Sequence, residues 1–362
     1  MDFETFVKDL AVRTLYELRF RGFDIDEDNV DKIAEAIKQW SLIEDVYKLH
    51  RLWNNVYERN TWGVEIEFSP SILNELDKYV LYIVVMKHVL KLYRDLSGPW
   101  EIVSPPMKIL DLNALKSLVK VVKELEIEFV NTYTDFDRNV SMGRHIHIRP
   151  NYPLYESFNI LVHVIPWLTP FMASVDYVKK KFFFRPGASR FSMIPPSSVT
   201  LDEFRSERRY WYITFNPASS EGGRSKNETL EIRFNESSPI ESWATAFTCL
   251  MILEPFATRS PFVHKVKNIL NKLKLDLNDI SLDVFYSSSG FTLDTKLKTR
   301  DGNLVRIGDA FDEITTCVIE YAESRDLHEH VKLYSLIVEN VKNMRKVVKP
   351  QDFDEIYGSF VN

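Results

Sequence analysis

Apolar and polar residues alternate strictly in three short segments: GVEIEF at residues 63–68, GRHIHIR at 143–149 and TLEIRFN at 229–235. A period of two is typical of a β-strand, whose successive side chains point to opposite faces of a sheet. The ionisable side chains of each segment therefore share one face. They are Glu65 and Glu67, His145 and His147, and Glu231 and Arg233. An isoleucine between the members of each pair points to the other face.

Elsewhere the apolar residues recur at helical spacing, which predicts helices between and around the strands. Residues 1–59 predict a helical N-terminal cap, and residues 71–96 predict a long amphipathic helix that ends at Ser-Gly-Pro. Beyond residue 236 the pattern predicts a mostly helical chain. The segment WEIVSPP at residues 100–106 predicts a short strand that carries Glu101.

About six short strands with long helices between them indicate the α+β class, with an antiparallel or mixed sheet and helices on one face. We expect the other face to stay open to a ligand. The predicted division is a helical cap at 1–59, a core at 60–258 and a helical C-terminal region at 259–362.

Composition narrows the class of protein. A chain of 362 residues that is 45% hydrophobic has ample material for a large core. Its net charge of −6 argues against nucleic acid as the main partner. The chain has two cysteines without metal-type spacing, and its N-terminus does not resemble a leader. It also lacks an apolar run long enough to span a bilayer. These features predict a cytoplasmic protein with no membrane partner.

The ionic face has the chemistry of a metal and phosphate site. Glu65, Glu67, Glu101 and Glu231 would repel one another unless cations neutralised them. Mg²⁺, or Mn²⁺, suits glutamates with one or two histidines, and such ions commonly bridge to substrate phosphates, which predicts a nucleotide. Arg233 would stabilise charge on a transferred phosphoryl group. The chain lacks a GxxxxGK[ST] phosphate loop.

Each motif taken alone is weak evidence. A single ExE strand is usually a solvated sheet face, HxH is often an exposed pair or part of a zinc site, and ExR is mostly a surface cross-strand pair. The joint occurrence of all three, each beside an apolar face, favours one shared site.

The order of these motifs resembles the amidoligase family of the glutamine synthetase and glutamate–cysteine ligase superfamily. The resemblance rests on GVEIEF, WEIVSPP, GxHxH ending at His147, a strand ending at Asn216, and ExR at 231–233. It covers about residues 62 to 236. It implies a glutamine-synthetase-like, curved and mostly antiparallel sheet, a catalytic core at 60–258, and a site for ATP and Mg²⁺.

The resemblance also implies roles for individual residues. Glu65, Glu67, Glu101, His145 and Glu231 would bind metal, and His147 would contact ATP phosphate or metal. Arg233 would stabilise the γ-phosphoryl group, and Arg209 or Arg208 would hold phosphate or the substrate carboxylate. Asn216 would contact the cofactor. Arg144 departs from the small or apolar residue common in the family and is expected to alter the pocket or to add a phosphate contact.

These observations predict an ATP- and Mg²⁺-dependent carboxylate–amine ligase that forms an amide, peptide or isopeptide bond through an acyl phosphate. Its substrates would be a small-molecule or peptide carboxylate and an amine, and a homo-oligomer is compatible with the sequence. Two alternatives stay open: a phosphotransferase acting on a guanidino or amino compound, and a catalytically silent protein that binds nucleotide or serves assembly.

Overall fold

The computed structural model describes residues 1–68, 80–94, 100–125, 144–184, 193–196, 199–205, 211–216, 228–235, 237–278, 283–286, 290–347 and 352–361. The α-helices of these residues are α1 Phe3–Phe20, α2 Val30–Lys38, α3 Ile43–Arg51, α4 Val80–His88, α5 Leu112–Leu125, α6 Leu154–Val164, α7 Thr169–Met172, α8 Leu201–Arg205, α9 Pro239–Thr258, α10 Val263–Leu273, α11 Asp283–Tyr286, α12 Ile307–Glu323, α13 His328–Lys342 and α14 Asp352–Val361. Short 3₁₀ helices cover Glu27–Asn29, Leu52–Tyr57 and Ile165–Leu168.

The strands are β1 Thr61–Phe68, β2 Leu92–Arg94, β3 Trp100–Val103, β4 Met107–Lys108, β5 Arg144–Arg149, β6 Ser174–Asp176, β7 Lys181–Phe183, β8 Ile213–Asn216, β9 Thr229–Asn235, β10 Lys296–Lys298 and β11 Leu304–Arg306. The main sheet has the order β2-β3-β1-β5-β9-β8, and β4 pairs with the start of β1. Every pairing in it is antiparallel. The predicted mixture of helices with an antiparallel sheet is therefore confirmed.

One face of this sheet forms part of the apolar core. Ile66, Ile146 and Ile232 are each at most 2% exposed. Helix α9 packs against β1 and β5, and α6 packs against β8 and β9. The isoleucines that alternate with the ionisable residues thus pack beneath helices, as the period-two pattern predicts.

Helix α9 is the central helix of this layer and starts directly after β9. Its first turn carries a capping box, in which Ser238 and Glu241 each satisfy a backbone N–H of the other. Pro239 occupies the first turn, where a missing N–H costs nothing. Nearly all of the helix is buried, which explains why its sequence is apolar on all sides.

The terminal segments pack onto the same core. Phe6 and Leu10 of α1 and Phe353 and Tyr357 of α14 belong to one continuous cluster of buried side chains. The hydroxyl of Tyr357 donates to Oε1 of Glu241 at 3.2 Å, which ties α14 to the start of α9. Within the described ranges, none of the helices is both long and apolar enough to cross a membrane.

The structure corrects one predicted element. Of the helix predicted over residues 71–96, residues 80–88 are helical, residues 92–94 are strand β2, and residues 69–79 and 95–99 lie outside the described residues. Helix α4 is also not amphipathic, because Val80, Ile83, Val84, Val85 and Met86 are all buried. Pairing of β2 with β3 ends the helical stretch early, since a ladder of hydrogen bonds to β3 replaces helical ones.

Candidate functional site

Cross-strand register brings the ionisable residues of four strands onto one face of the main sheet. Glu65 lies opposite His145, Glu67 lies opposite Glu101, and His147 lies opposite Glu231. Directly opposed residues share a face and have Cβ atoms about 5 Å apart. The structure therefore brings together the side chains that the sequence predicts on a shared face.

His145 lies at the centre of this group. Its Nδ1 atom is 3.1 Å from Oε1 of Glu65 and 3.1 Å from Oε1 of Glu231, and its Nε2 atom is 3.8 Å from Oε1 of Glu67. The side chain is 4% exposed. One imidazole thus contacts carboxylates from the two strands that flank its own.

His147 makes a second imidazole contact with the same glutamate. Its Nε2 atom lies 3.2 Å from Oε2 of Glu65, so each carboxylate oxygen of Glu65 faces a different histidine. On the other side of the ring, Nδ1 lies 3.2 Å from Oγ1 of Thr229. The His147 ring is therefore held from both edges.

Glu231 contacts three side chains, two of which donate hydrogen bonds to it. Besides His145, the guanidinium of Arg233 donates to its Oε1 at 2.5 Å, and the amide of Asn216 donates to its Oε2 at 3.1 Å. Glu231 and Arg233 lie on one face of β9, and Asn216 lies on the neighbouring strand β8. Glu231 consequently joins the histidines to Asn216 and Arg233.

Three of these residues form a candidate cation site. Ligand atoms of Glu65, Glu67 and His145 lie within 4.8 Å of one another, and all three side chains are buried. Carboxylate oxygens with one imidazole suit a hard divalent cation such as Mg²⁺ or Mn²⁺. Glu101, directly opposite Glu67, adds a further carboxylate beside this group. The donor set fits the predicted metal.

Burial and charge act in opposite directions on the titratable groups. Burial raises the pKa of Glu65, but its hydrogen bonds with His145 and His147 outweigh burial and hold that pKa well below the usual value. Burial likewise raises the pKa of Glu231, and the charge of Arg233 reverses the shift and lowers it. Both carboxylates are therefore held in the ionised form.

The pKa values of the cationic partners, His145 and Arg233, are raised. Burial and the charge of Arg233 lower the pKa of His145, yet Glu231, Glu65 and Glu67 raise it above its usual value. Burial also lowers the pKa of Arg233, and the charges of Glu231 and the other glutamates raise it overall. A protonated His145 balances part of the carboxylate charge, so a cation that binds there has to displace a proton.

The face is less open than the sequence predicts. Glu65, Glu67 and Glu231 are 6%, 8% and 6% exposed. Buried carboxylates are tolerated because imidazole, guanidinium and amide groups donate to them, and an unpartnered buried charge would be far more costly.

One predicted residue does not join this group, and another lies outside the described residues. Arg144 pairs in register with Ile66, on the apolar side of the sheet, and its guanidinium bonds the backbone carbonyl of Ser237. A shift in the β5–β9 register between Arg144 and Ile146 accompanies this placement. Arg209, like Arg208, lies outside the described residues.

The sequence reasoning missed Thr229 and Thr214. Thr229 contacts His147, and Thr214 lies opposite Glu231. Their signal was present, because Thr229 continues the alternation of Glu231 and Arg233, and Thr214 alternates with Asn216. Threonine is common in β-strands, so a threonine in such a segment does not by itself indicate a functional role.

Comparison with known proteins gives little further information. A solved structure of the complex between the prokaryotic ubiquitin-like protein Pup and its ligase PafA is similar to this chain with a TM-score of 0.45 and 12% identity. The match covers 82% of this chain and 65% of that chain, so this chain spans less than two thirds of the matched one. No family model and no curated protein matches the sequence. A structural likeness at this level carries no weight for activity.

Proposed function

We propose that this chain is an ATP- and Mg²⁺-dependent carboxylate–amine ligase of the amidoligase type. The observation that supports it most directly is the contact of His145 with both Glu65 and Glu231, each at 3.1 Å. These contacts unite the ExE, HxH and ExR motifs in one buried group. The order of those motifs along the chain is the one that resembles the amidoligase family.

Glu65, Glu67 and His145 would hold a divalent cation, with Glu101 and Glu231 beside it. When bound, Mg²⁺ or Mn²⁺ supplies positive charge that neutralises the triphosphate. The ionised state of Glu65, which its histidine contacts favour, suits this role, because only the carboxylate binds a cation well.

The proposed reaction has two steps. An oxygen of the substrate carboxylate attacks the γ-phosphorus of ATP, a P–O bond forms, and the bond to ADP breaks. The amine then attacks the acyl carbon, a C–N bond forms, inorganic phosphate leaves, and the amine loses a proton to solvent or a base. Arg233 would stabilise the negative charge of the γ-phosphoryl group during transfer.

Arg233 is suited to that task by its position. Its contact with Glu231 fixes the guanidinium beside the carboxylate cluster, and a preorganised donor needs no reorganisation as charge develops. Asn216 orients Glu231 from the other side. His147, held by Glu65 and Thr229, would contact phosphate or metal. The acid would be a small molecule or a peptide carboxylate.

The test is release of ADP and inorganic phosphate from MgATP in the presence of pairs of carboxylates and amines, followed by mass analysis of the products. The proposal predicts release that requires both partners and a product lighter than their sum by one water. A stable phosphorylated product would instead establish a phosphotransferase. Tight MgATP binding without turnover on any pair would favour a nucleotide-binding protein that is catalytically silent.

A matched pair of variants connects the result to this site. Glu67→Gln removes one candidate ligand and should abolish turnover, while Glu228→Gln changes an exposed glutamate just before β9 and should not. Equal activity of the two variants would contradict the assignment of Glu67.

A further inference from the structure

A solvent-exposed row of aromatic side chains lies at the end of α1. Tyr16, Phe20 and Phe23 are 59%, 86% and 54% exposed, and we call them the aromatic stripe. Tyr16 and Phe20 are four residues apart on one helix and so lie on the same side. Gly22, at a φ of 88°, turns the chain back, and the N–H of Phe23 donates to the carbonyl of Leu18 at 3.1 Å.

The segment that follows is strongly acidic. Residues 22–31 contain five carboxylates and no lysine or arginine. Arg19 holds this segment against α1, because its Nε donates to the carbonyl of Ile25 at 2.7 Å and its guanidinium lies 3.3 Å from Glu27. Asp24, Asp26 and Asp28 are exposed there, and we call them the acidic rim. The aromatic stripe thus lies beside excess negative charge.

A surface of complementary character lies far away in the sequence, at the turn between β6 and β7. Val178, Lys179 and Lys180 are all exposed, and we call them the hairpin tip. Val178 is 95% exposed, and among the described residues it and Phe20 are the two most exposed large apolar side chains. The hairpin tip therefore presents an apolar side chain beside two cations, of which Lys179 also lies 3.4 Å from Oδ2 of Asp176 within the hairpin.

The hairpin tip is held in one conformation. Oδ1 of Asp176 accepts the backbone N–H groups of Val178 and Lys179 at 3.1 and 2.9 Å. The hydroxyl of Tyr177 bonds the backbone carbonyl of Lys346, which joins the hairpin to the C-terminal region. A fixed tip loses little conformational entropy on binding, so it is suited to recognition.

We propose that the hairpin tip of one copy of this chain binds the aromatic stripe and acidic rim of a second copy. Val178 would pack on Phe20 and Tyr16, and the two lysines would face the carboxylates of Asp24, Asp26 and Asp28. Both surfaces are exposed within one copy, so the contact forms between copies. Each copy carries both halves, which allows a closed assembly or a head-to-tail chain.

The charges predict how this association depends on salt. At physiological ionic strength the Debye length is about 8 Å, and it shortens as salt is added, so the attraction between exposed charges acts over a shorter range at high salt. Association should therefore weaken as salt is raised, and the loss should appear mainly as slower assembly. The apolar contact between Val178 and Phe20 would remain as the salt-independent part.

The experiment is sedimentation velocity of the full chain over a concentration series, at low and high salt. The wild type should show mass rising from the 42.5 kDa of one chain towards twice that value or more. Phe20→Asp, which disrupts the stripe, and Val178→Asp, which disrupts the tip, should each weaken self-association at least about tenfold. Tyr57→Asp, at a side chain that is 77% exposed elsewhere, is the matched control and should associate as the wild type does.

Mixing the two defective variants separates this contact from any other. Phe20→Asp keeps an intact tip and Val178→Asp keeps an intact stripe, so an equimolar mixture should form a 1:1 complex more tightly than either variant associates with itself. A wild type that stays monomeric would overturn the proposal, even if the stripe bound some other protein. Variants that associate like the wild type, or a mixture that stays monomeric, would overturn it equally. Thermal melts of each variant show whether folding is intact.

Discussion

Glu231 and Ile232 are neighbours on one strand, point to opposite faces of the sheet and are both buried, at 6% and 0% exposed. Burial of Ile232 stabilises the fold, since apolar surface leaves water. Burial of Glu231 does not, because removing a carboxylate from water costs several kcal/mol and its partners at best offset that cost. A buried sheet face that served only stability would carry apolar residues in place of these ions. The ionic face is therefore explained better by a ligand than by folding.

Two histidines, His145 buried and His163 partly buried, show the same contrast. His145, on the ionic face, is surrounded by carboxylates that raise its pKa. His163, on α6 among apolar side chains, has a pKa lowered to about 4 by burial and by the charges of Lys274 and Arg300. The same side chain is thus stabilised in its charged form in one region and in its neutral form in the other.

The largest expected effect comes from the ionic face. Glu231→Gln keeps the shape of the side chain but removes the charge that Arg233 and His145 contact, so turnover should fall about 10³-fold, or ~4 kcal/mol of transition-state stabilisation. The midpoint of urea unfolding should fall as well, because Arg233 loses its closest carboxylate, so turnover is compared at temperatures where the variant stays folded. The loss of turnover is measured as steady-state ATP hydrolysis, with Glu228→Gln as the control. Unchanged turnover in Glu231→Gln would remove Glu231 from the site.

At the neighbouring residue, Ile232, a substitution should affect stability more than turnover. Ile232→Ala leaves a cavity in the core and should lower the free energy of unfolding by about 3 kcal/mol. At temperatures where the variant stays folded, its turnover should fall much less than that of Glu231→Gln. Leu304→Ala, at a side chain that is 64% exposed, is the control and should cost less than about 0.5 kcal/mol. If Ile232→Ala lost as much turnover as Glu231→Gln, activity would depend on both faces of the sheet.

Cation binding should stabilise the protein through the ionic face alone. At a concentration of Mg²⁺ or Mn²⁺ about 100 times Kd, the free energy of unfolding should rise by about 2.7 kcal/mol. The rise should disappear in Glu67→Gln and remain in Ile232→Ala. It should also be smaller at mildly acidic than at alkaline pH, because the raised pKa of His145 makes a proton compete with the cation. Thermal melts with and without metal measure this stabilisation.

The smallest expected effect is the pH dependence of stability that His163, on the apolar helix α6, causes. The pKa of His163 lies near 4 in the folded protein and near 6.5 when unfolded, so below about pH 6.5 the unfolded chain binds more protons. Stability present above that pH is lost as the pH falls, by about 1 to 2 kcal/mol between about pH 7 and pH 5.

His163→Gln should remove this part of the pH dependence, as measured by urea titrations at both pH values. His328→Gln changes a histidine whose side chain is 77% exposed and should leave it intact. Identical pH dependence in the two variants would mean that another group is responsible.

The sequence predicts much of the ionic face but not its arrangement. Alternation places Glu65 with Glu67 and His145 with His147, because the side-chain period of a strand is two. It contains no information that β5 lies between β1 and β9, or that His145 faces Glu65 rather than Glu67. That register depends on packing between residues distant in sequence.

Short elements were harder to predict than the long ones. Strands β2, β4, β10 and β11 have two or three residues each, too few for a periodic pattern to stand out. Arg144 shows another limit, since its charge suggests the ionic face while its position in the alternation assigns it to the opposite one. There the guanidinium bonds a backbone carbonyl, a partner that no side-chain pattern reveals.

The strand order β1-β5-β9 has a consequence for synthesis. Three of the strands that form the ionic face lie at residues 61–68, 144–149 and 229–235, so they are synthesised at well-separated times. A nascent chain that ends before β9 has Glu65, Glu67 and His145 but lacks Glu231 and Arg233, and pairings between distant strands form slowly. Until then, the β5 edge that later pairs with β9 is an unpaired strand edge, which other chains can pair with. In the period before β9 emerges, pairing of this edge with other chains therefore competes with folding.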